Sequence, residues 1–218
     1  MAIATWPAAL RPREWSLPEL DKATLGGGQT IGGAEDIVAI AGGRWRRSLS
    51  FDIRNMETLR AWNLLRAVAG TKDRIIRVPL VGCMTQPGSR LFTAFDDTTG
   101  TTFFDDGFGF VEEVETATLA EAASLNATTV TVASAMPFQV GDYIGLRDRL
   151  HHITDAAPVS AGVRRFTIRP WLREALPAGE PVLSRTAVCR MRLVDDAPMR
   201  APLSLGRFAS ITLDYQEA

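Results

Sequence analysis

The residue types able to do chemistry are few in this chain, and their spacing is poor for it. His151 and His152 are adjacent. Neighbours on a strand point to opposite faces, so the two imidazoles cannot grip one metal ion, and no cysteine or carboxylate stands around them at zinc spacing. The carboxylate pairs Asp96-Asp97, Asp105-Asp106, Glu112-Glu113 and Asp195-Asp196 could be imagined as acid/base pairs or a calcium site. They sit among turn-forming residues, where solvated loop charges are the simpler reading. Gly26-Gly27-Gly28 is followed by neither Lys-Ser/Thr nor a helix, so it reads as a flexible turn and not a phosphate loop. Cys83 and Cys189 are over a hundred residues apart in no metal pattern, which favours two reduced thiols while leaving a disulfide open. No serine occupies a nucleophile elbow. The expectation is a protein that is not an enzyme, has no cofactor and no metal, and works through its surfaces.

The elements that would shape those surfaces are better marked. From Trp45 to Ile53 the side chains alternate, with Trp45, Leu49, Phe51 and Ile53 on one face and Arg46, Ser48, Ser50 and Asp52 on the other. That is the period of a half-buried strand, broken only by Arg47 on the apolar side. At Asn55 the period changes: Thr58, Ala61, Trp62, Leu65, Val68 and Ala69 form one helical stripe. Asn55 suits the N-cap, and Gly70 suits a left-handed residue ending the helix. Residues 74–81 (RIIRVPLV) read as a strand, with Pro79 pushing its far end to a sheet edge.

Before this unit, Trp6 and Trp15 lie beside prolines in a segment that suits an extended arm laid on a surface. The run DIVAIA leads through Gly42-Gly43 toward the Trp45 strand, a hairpin signal. Residues 82–117 read as a long loop or ribbon holding six phenylalanines, with basic residues confined to its start at Arg90. If exposed, Phe103, Phe104, Phe108 and Phe110 would form a contact patch; they could equally fold back on the core.

From Ala127 a second unit begins, with strands expected in ATTVTV, in MPFQVGDYIGLRD with the histidines near its end, in VRRFTIRP and in EPVLSR. Four short strands at such spacing suggest a small barrel or sandwich. Gly141-Asp142 is the expected turn, and WLREALPAGE carries a helical turn stopped by Pro177 and Gly179. The alternating runs 188–194 and 208–215 return to the first style and could complete the first sheet. The fold expected is therefore mainly β. One discontinuous domain, 1–117 with 188–218, carries the helix, and residues 118–187 form an inserted barrel.

The chain has 218 residues, 46% of them hydrophobic, enough for one good core or two modest ones. Its 24 basic and 25 acidic residues nearly cancel, so no electrostatic footprint for nucleic acid or an anionic membrane is expected. No apolar run approaches the roughly 18 residues of a membrane span, and the N-terminus lacks the features of a secretory signal, so folding in a cytoplasm is expected.

Taken together, the run from Ile40 through Leu80, the segment TTFFDDGFGF, and the stretch ATTVTVASAMPFQVGDYIGLRDRLHHI with the later FTIRPWLREALPAGEPV resemble distal tail proteins of long-tailed bacteriophages and related gene-transfer particles. The resemblance implies a β-sandwich belt domain with one packed helix and an inserted barrel of oligonucleotide-binding type. It also implies a homo-hexameric ring at the virion tail tip that joins the tail tube protein to the baseplate hub protein. It supplies no catalytic residues. Subunit contacts would fall on Trp6, Trp15, Trp45 and Arg47, where an in-facing arginine either pairs with a neighbour or snorkels at the sheet edge. The aromatic loop is a further contact candidate. A carbohydrate- or receptor-binding module is the alternative.

Overall fold

The computed structural model describes residues 3–7, 9–21, 24–29, 35–39, 43–79, 101–103, 109–111, 117–135, 137–184, 187–200 and 209–218. In chain order its strands are β1 (Ala4–Thr5), β2 (Glu14–Trp15), β3 (Glu19–Leu20), β4 (Thr24–Gln29), β5 (Glu35–Ala39) and β6 (Trp45–Ile53). The helix α1 (Met56–Ala69) and β7 (Ile76–Pro79) follow, then β8 (Thr101–Phe103) and β9 (Gly109–Val111). The second unit holds β10 (Ala117–Leu119), β11 (Thr129–Ser134), β12 (Tyr143–Leu146), β13 (Arg149–Ser160) and β14 (Val163–Arg169). The chain closes with β15 (Val188–Leu193), a short 3₁₀ turn at Ala197–Arg200 and β16 (Ala209–Glu217). The fold is mainly β with one helix.

The alternation along β6 buries Trp45, Arg47, Leu49, Phe51 and Ile53 on one side. On the same side, α1 lays down Ala61, Trp62, Leu65 and Ala69, with Thr58 and Val68 half-buried at the rim of the stripe. Trp62 meets Phe51 with ring centroids 5.7 Å apart. Burying each large apolar side chain in this layer contributes on the order of 1.5–3 kcal/mol. The Asn55 side-chain oxygen accepts from the Thr58 N–H at 2.8 Å, and the Thr58 hydroxyl accepts from the Asn55 N–H at 3.1 Å. Two donors left over at the helix start are thereby satisfied reciprocally. Gly70 departs from expectation: its φ is −77°, not left-handed. The small residue is needed for space instead, since a Cβ there would run into the Arg66 carbonyl.

The large sheet has the order β1-β7-β15-β16-β6-β2, with β3 also pairing β6. The two strands from the C-terminal stretch thus sit between β6 and β7, and both flanks of β6 are taken, by β16 on one side and by β2 and β3 on the other. This is why the expected hairpin of DIVAIA with β6 does not form: β5 pairs with β4 instead. Gly43 matters here, because a Cβ would lie 2.6 Å from Leu20 Cγ and 2.7 Å from the Asp21 carbonyl oxygen. Only glycine lets β3 come that close to the start of β6.

The second sheet is antiparallel in the order β10-β11-β14-β13-β12. Its two outer strands are joined through residues 180–183: Thr118 bridges Pro181 and Gly145 bridges Leu183, with Val182 donating to the Ala117 carbonyl at 2.8 Å. EPVLSR therefore closes the barrel through single bridges and is not a regular strand. Inside lie Leu119, Val130, Val132, Phe138, Ile144 and Phe166 among others.

Two further expectations are corrected. The histidines are not near the end of the second barrel strand: β12 stops at Leu146, Arg147 and Asp148 make the turn with φ of 44° and 63°, and the histidines begin the next strand. That strand, β13, runs on to Ser160 through Pro158. Proline is tolerated there because β12 pairs only as far as His152, so among the described residues no strand pairs that edge of β13 at Pro158. WLREALPAGE makes no helical turn. Its backbone is spent on pairing with the 123–127 turn, where Leu172 and Leu176 exchange hydrogen bonds of 2.8–2.9 Å with Ala123, Asn126 and Ala127, and both leucines plug the barrel end.

Candidate assembly surface

Of the residues singled out as contacts, the structure describes the side chains of Trp6, Trp45 and Arg47. Trp6 is buried; its Nε1 donates to the Leu10 carbonyl at 2.8 Å and its ring meets Phe51 and Tyr215 edge-on at 6.0 and 5.9 Å. The arm that carries it crosses the core face, since β1 pairs β7 on one side of the sheet while β2 and β3 pair β6 on the other. Trp15 lies in β2, opposite Leu49. Its side chain, like those of Phe103 in β8 and Phe110 in β9, is outside the described residues, as are Phe104 and Phe108 altogether.

Arg47 is 4% exposed. Its Nε donates to the Ser16 carbonyl at 3.2 Å and its Nη1 to the Pro79 carbonyl at 2.7 Å, so it ties β7 to the arm behind β2. The break in the apolar pattern thus serves an intramolecular purpose: a buried guanidinium satisfied by backbone carbonyls.

Trp45 is also internal. Its indole N–H donates across to the Leu150 carbonyl in β13 at 2.6 Å, and its ring meets Tyr143 at 5.7 Å. Leu150 is itself part of the core of the large sheet. Around this contact two ion clusters join the sheets. Glu217, 1% exposed at the end of β16, accepts from Arg149 at 2.8 Å, from Arg173 at 3.3 Å and from the Trp45 backbone N–H at 3.3 Å. Arg173 also donates to the Gly43 carbonyl at 2.6 Å. On the other flank, Asp148 accepts from Arg77 at 2.8 Å and from Arg190 at 3.4 Å. A buried carboxylate is tolerable only when its lone pairs are met in this way.

None of this junction was identified from sequence, yet a signal was present. The buried face of β16 reads Ile211, Leu213, Tyr215, Glu217, and a carboxylate closing an apolar series calls for a cation from elsewhere.

The potential chemical groups are placed as follows. His151 is buried, its Nδ1 is 2.8 Å from the Pro170 carbonyl, and burial pulls its pKa down to about 4, so the ring is neutral at pH 7. His152 points away from it, against Tyr143 with ring centroids 4.9 Å apart. Burial raises the Cys189 thiol well above its usual range, which makes it a poor nucleophile. Asp142, buried at the Gly141 turn, is raised by desolvation although it accepts from the Gln139 N–H at 2.8 Å. A cleft of about 300 Å³ beside β6 and β16 is lined by Ser16, Glu19, Arg46, Arg47, Ser48, Val194, Asp214 and Tyr215, with no histidine or cysteine among them. Among the described residues no group of histidine, cysteine and carboxylate side chains could hold a metal ion, and no helix is long and apolar enough to cross a membrane.

β4–β5 and β8–β9 are two-stranded ribbons that, among the described residues, belong to neither large sheet. The barrel's outer strands, by contrast, are bridged by residues 180–183. No family model matches the sequence, and none of the curated proteins matches it.

Proposed function

We propose that this protein is a structural component of a long-tailed phage tail or a related particle. In this reading it forms a ring at the distal end of the tail tube and joins the tube protein to the baseplate hub. The observation that carries the reading is the pair of ribbons, β4–β5 and β8–β9, which among the described residues lie outside both sheets. A two-stranded ribbon is marginally stable in water, and its unpaired N–H and C=O groups are a template for another strand. Copies of the same chain can supply that strand by β-addition, and a head-to-tail contact that closes makes a ring. The rest of the chain supports this role. Among the described residues, Trp45 and the ion clusters around Glu217 and Asp148 tie the large sheet to the barrel, a property that suits a joint in a tail. Direct nucleic-acid or membrane binding is not part of the proposal, and the place of action is the virion tail tip.

The test is the mass and image of the purified protein. Mass photometry and negative-stain electron microscopy, with and without isolated tail tubes, should show a closed ring of about six copies, free or at a tube end. A protein that stays monomeric even with tube ends present, and binds glycans instead, would point to a receptor-binding module and sink the ring.

A further inference from the structure

We propose that the outer face of β13 and β14 binds an acidic polysaccharide in which charged sugars alternate with neutral ones; the inference is independent of the ring reading. Along β14, Phe166 and Ile168 are buried in the barrel core, while Arg165, Thr167 and Arg169 alternate with them on the outer face, both arginines exposed. Register fixes what lies beside each on β13: Ala157 beside Arg165, Asp155 beside Thr167 and His152 beside Arg169. The exposed Thr129 of β11 flanks Thr167 on its other side. Tyr143 of β12 continues the row of Arg169 and His152, its half-buried ring against that of His152 with centroids 4.9 Å apart. Neither Arg165 nor Arg169 makes an ion pair among the described residues. The other described arginines of the barrel are engaged: Arg164 donates to the Phe138 carbonyl at 2.7 Å, Arg147 is held by Glu180 and Glu174, and Arg149 and Arg173 by Glu217.

Two exposed guanidinium groups four residues apart on one strand, roughly 13 Å at ordinary strand rise, each offer a planar fork of donors that matches a carboxylate. Between them the surface changes character. The row of Thr129, Thr167 and Asp155 presents hydroxyls and one carboxylate, and that carboxylate accepts from the Ala156 N–H at 2.9 Å. Asp155 can accept from sugar hydroxyls, but it repels a polymer that brings a negative charge on every unit. Nucleic acid, with a phosphate at each nucleotide, is disfavoured for that reason. A chain with a uronate over each arginine and a neutral sugar over Asp155 meets all three rows. The rings of His152 and Tyr143 add an apolar surface beside Arg169 on which the C–H face of a sugar can pack. The net charge of the whole chain is −1, so an anionic polymer is drawn to this face and not to the protein at large.

The experiment titrates full-length protein by calorimetry with hyaluronan fragments, in which a uronate alternates with a neutral N-acetylated sugar. Dextran, polygalacturonate and single-stranded DNA are the comparisons. Hyaluronan should bind best, and its binding should weaken as salt is raised from about 50 to about 500 mM. Arg165→Ala with Arg169→Ala should bind it about tenfold or more weakly. Asp155→Asn should raise the affinity for polygalacturonate relative to hyaluronan, because the charge that rejects a fully acidic chain is gone. A wild type that does not bind hyaluronan, or a double variant that binds it equally well, overturns the proposal. Tighter wild-type binding of DNA or polygalacturonate overturns it in favour of a general polyanion surface, and equal binding of dextran removes the role of charge. Circular dichroism on each variant separates loss of binding from loss of fold. Particle mass measured on the same samples keeps this reading apart from the ring, since either can fail with the other intact.

Discussion

The Trp45 indole N–H and the Leu150 carbonyl oxygen lie 2.6 Å apart although 105 residues separate them in sequence. This bond crosses from β6 of the large sheet to β13 of the barrel, and both residues are buried. Trp45→Phe keeps most of the ring and removes the donor, leaving a buried carbonyl unmet. The expected cost is about 1–3 kcal/mol, read as a lower urea midpoint with an unchanged slope. A midpoint equal to that of the wild type would mean that the bond contributes nothing net.

Glu217→Gln tests the ion cluster beside it. Removing the charge leaves Arg149 and Arg173 near one another without their carboxylate. Breaking a fully buried pair costs about 3–5 kcal/mol. Both arginine side chains keep some exposure, 18% and 23%, so a loss of about 2–3 kcal/mol is expected after allowing for solvent screening. Denaturation at two salt concentrations checks this, since wild-type stability should fall with salt more than that of the variant.

Stability should rise with pH between about 4 and 6.5 on account of His151. Its folded pKa, about 4, lies below the ordinary 6.5 because burial penalises the charged ring. In that window the unfolded chain binds a proton that the folded chain does not, so acidification favours unfolding by up to about 1.4 kcal/mol per pH unit. Asp142 works in the opposite sense, because its raised pKa favours protonation in the folded state and its contribution is lost as pH rises through that value. The difference between wild type and His151→Asn, which keeps a donor for the Pro170 carbonyl, isolates the histidine. Parallel stability curves for the two proteins would refute its role.

Tyr215→Phe is expected to be neutral or slightly stabilising. The hydroxyl is buried and has no hydrogen-bond partner among the described residues, while the ring packs on Trp6 at 5.9 Å. Removing an unmet polar atom while keeping the ring relieves a desolvation cost of about 1–3 kcal/mol. A thermal midpoint lowered by several degrees would show that the hydroxyl has a partner.

The local pattern of the sequence carried the fold well where one face of one element decided the outcome. The β6 alternation, the α1 stripe and the Asn55 cap follow from nearest-neighbour periodicity and needed no knowledge of distant residues. Pairing partners were harder, because a strand's mate is chosen by which edges are already occupied. The DIVAIA run pairs with β4 because β2, β3 and β16 had taken β6. The length of β13 was hidden by Pro158, which is harmless only because β12 is short. The roles of Arg47 and Trp45 depended on carbonyls of Ser16, Pro79 and Leu150, and backbone acceptors leave no trace in side-chain pattern.

The placement of β15 and β16 between β6 and β7 has a consequence for synthesis. Residues 45–79 leave the ribosome with an unfilled gap in the middle of their sheet, and the strands that fill it come from residues 188–217. The barrel, whose strands and closing segment all fall within residues 117–183, has every partner at hand before then. The nascent chain should therefore fold its middle first and carry the apolar face of α1 and β6 uncovered until the end. A slow, late closure dominated by long-range contacts follows, and with it a period in which a holdase chaperone would find Trp62, Phe51 and Trp6 available.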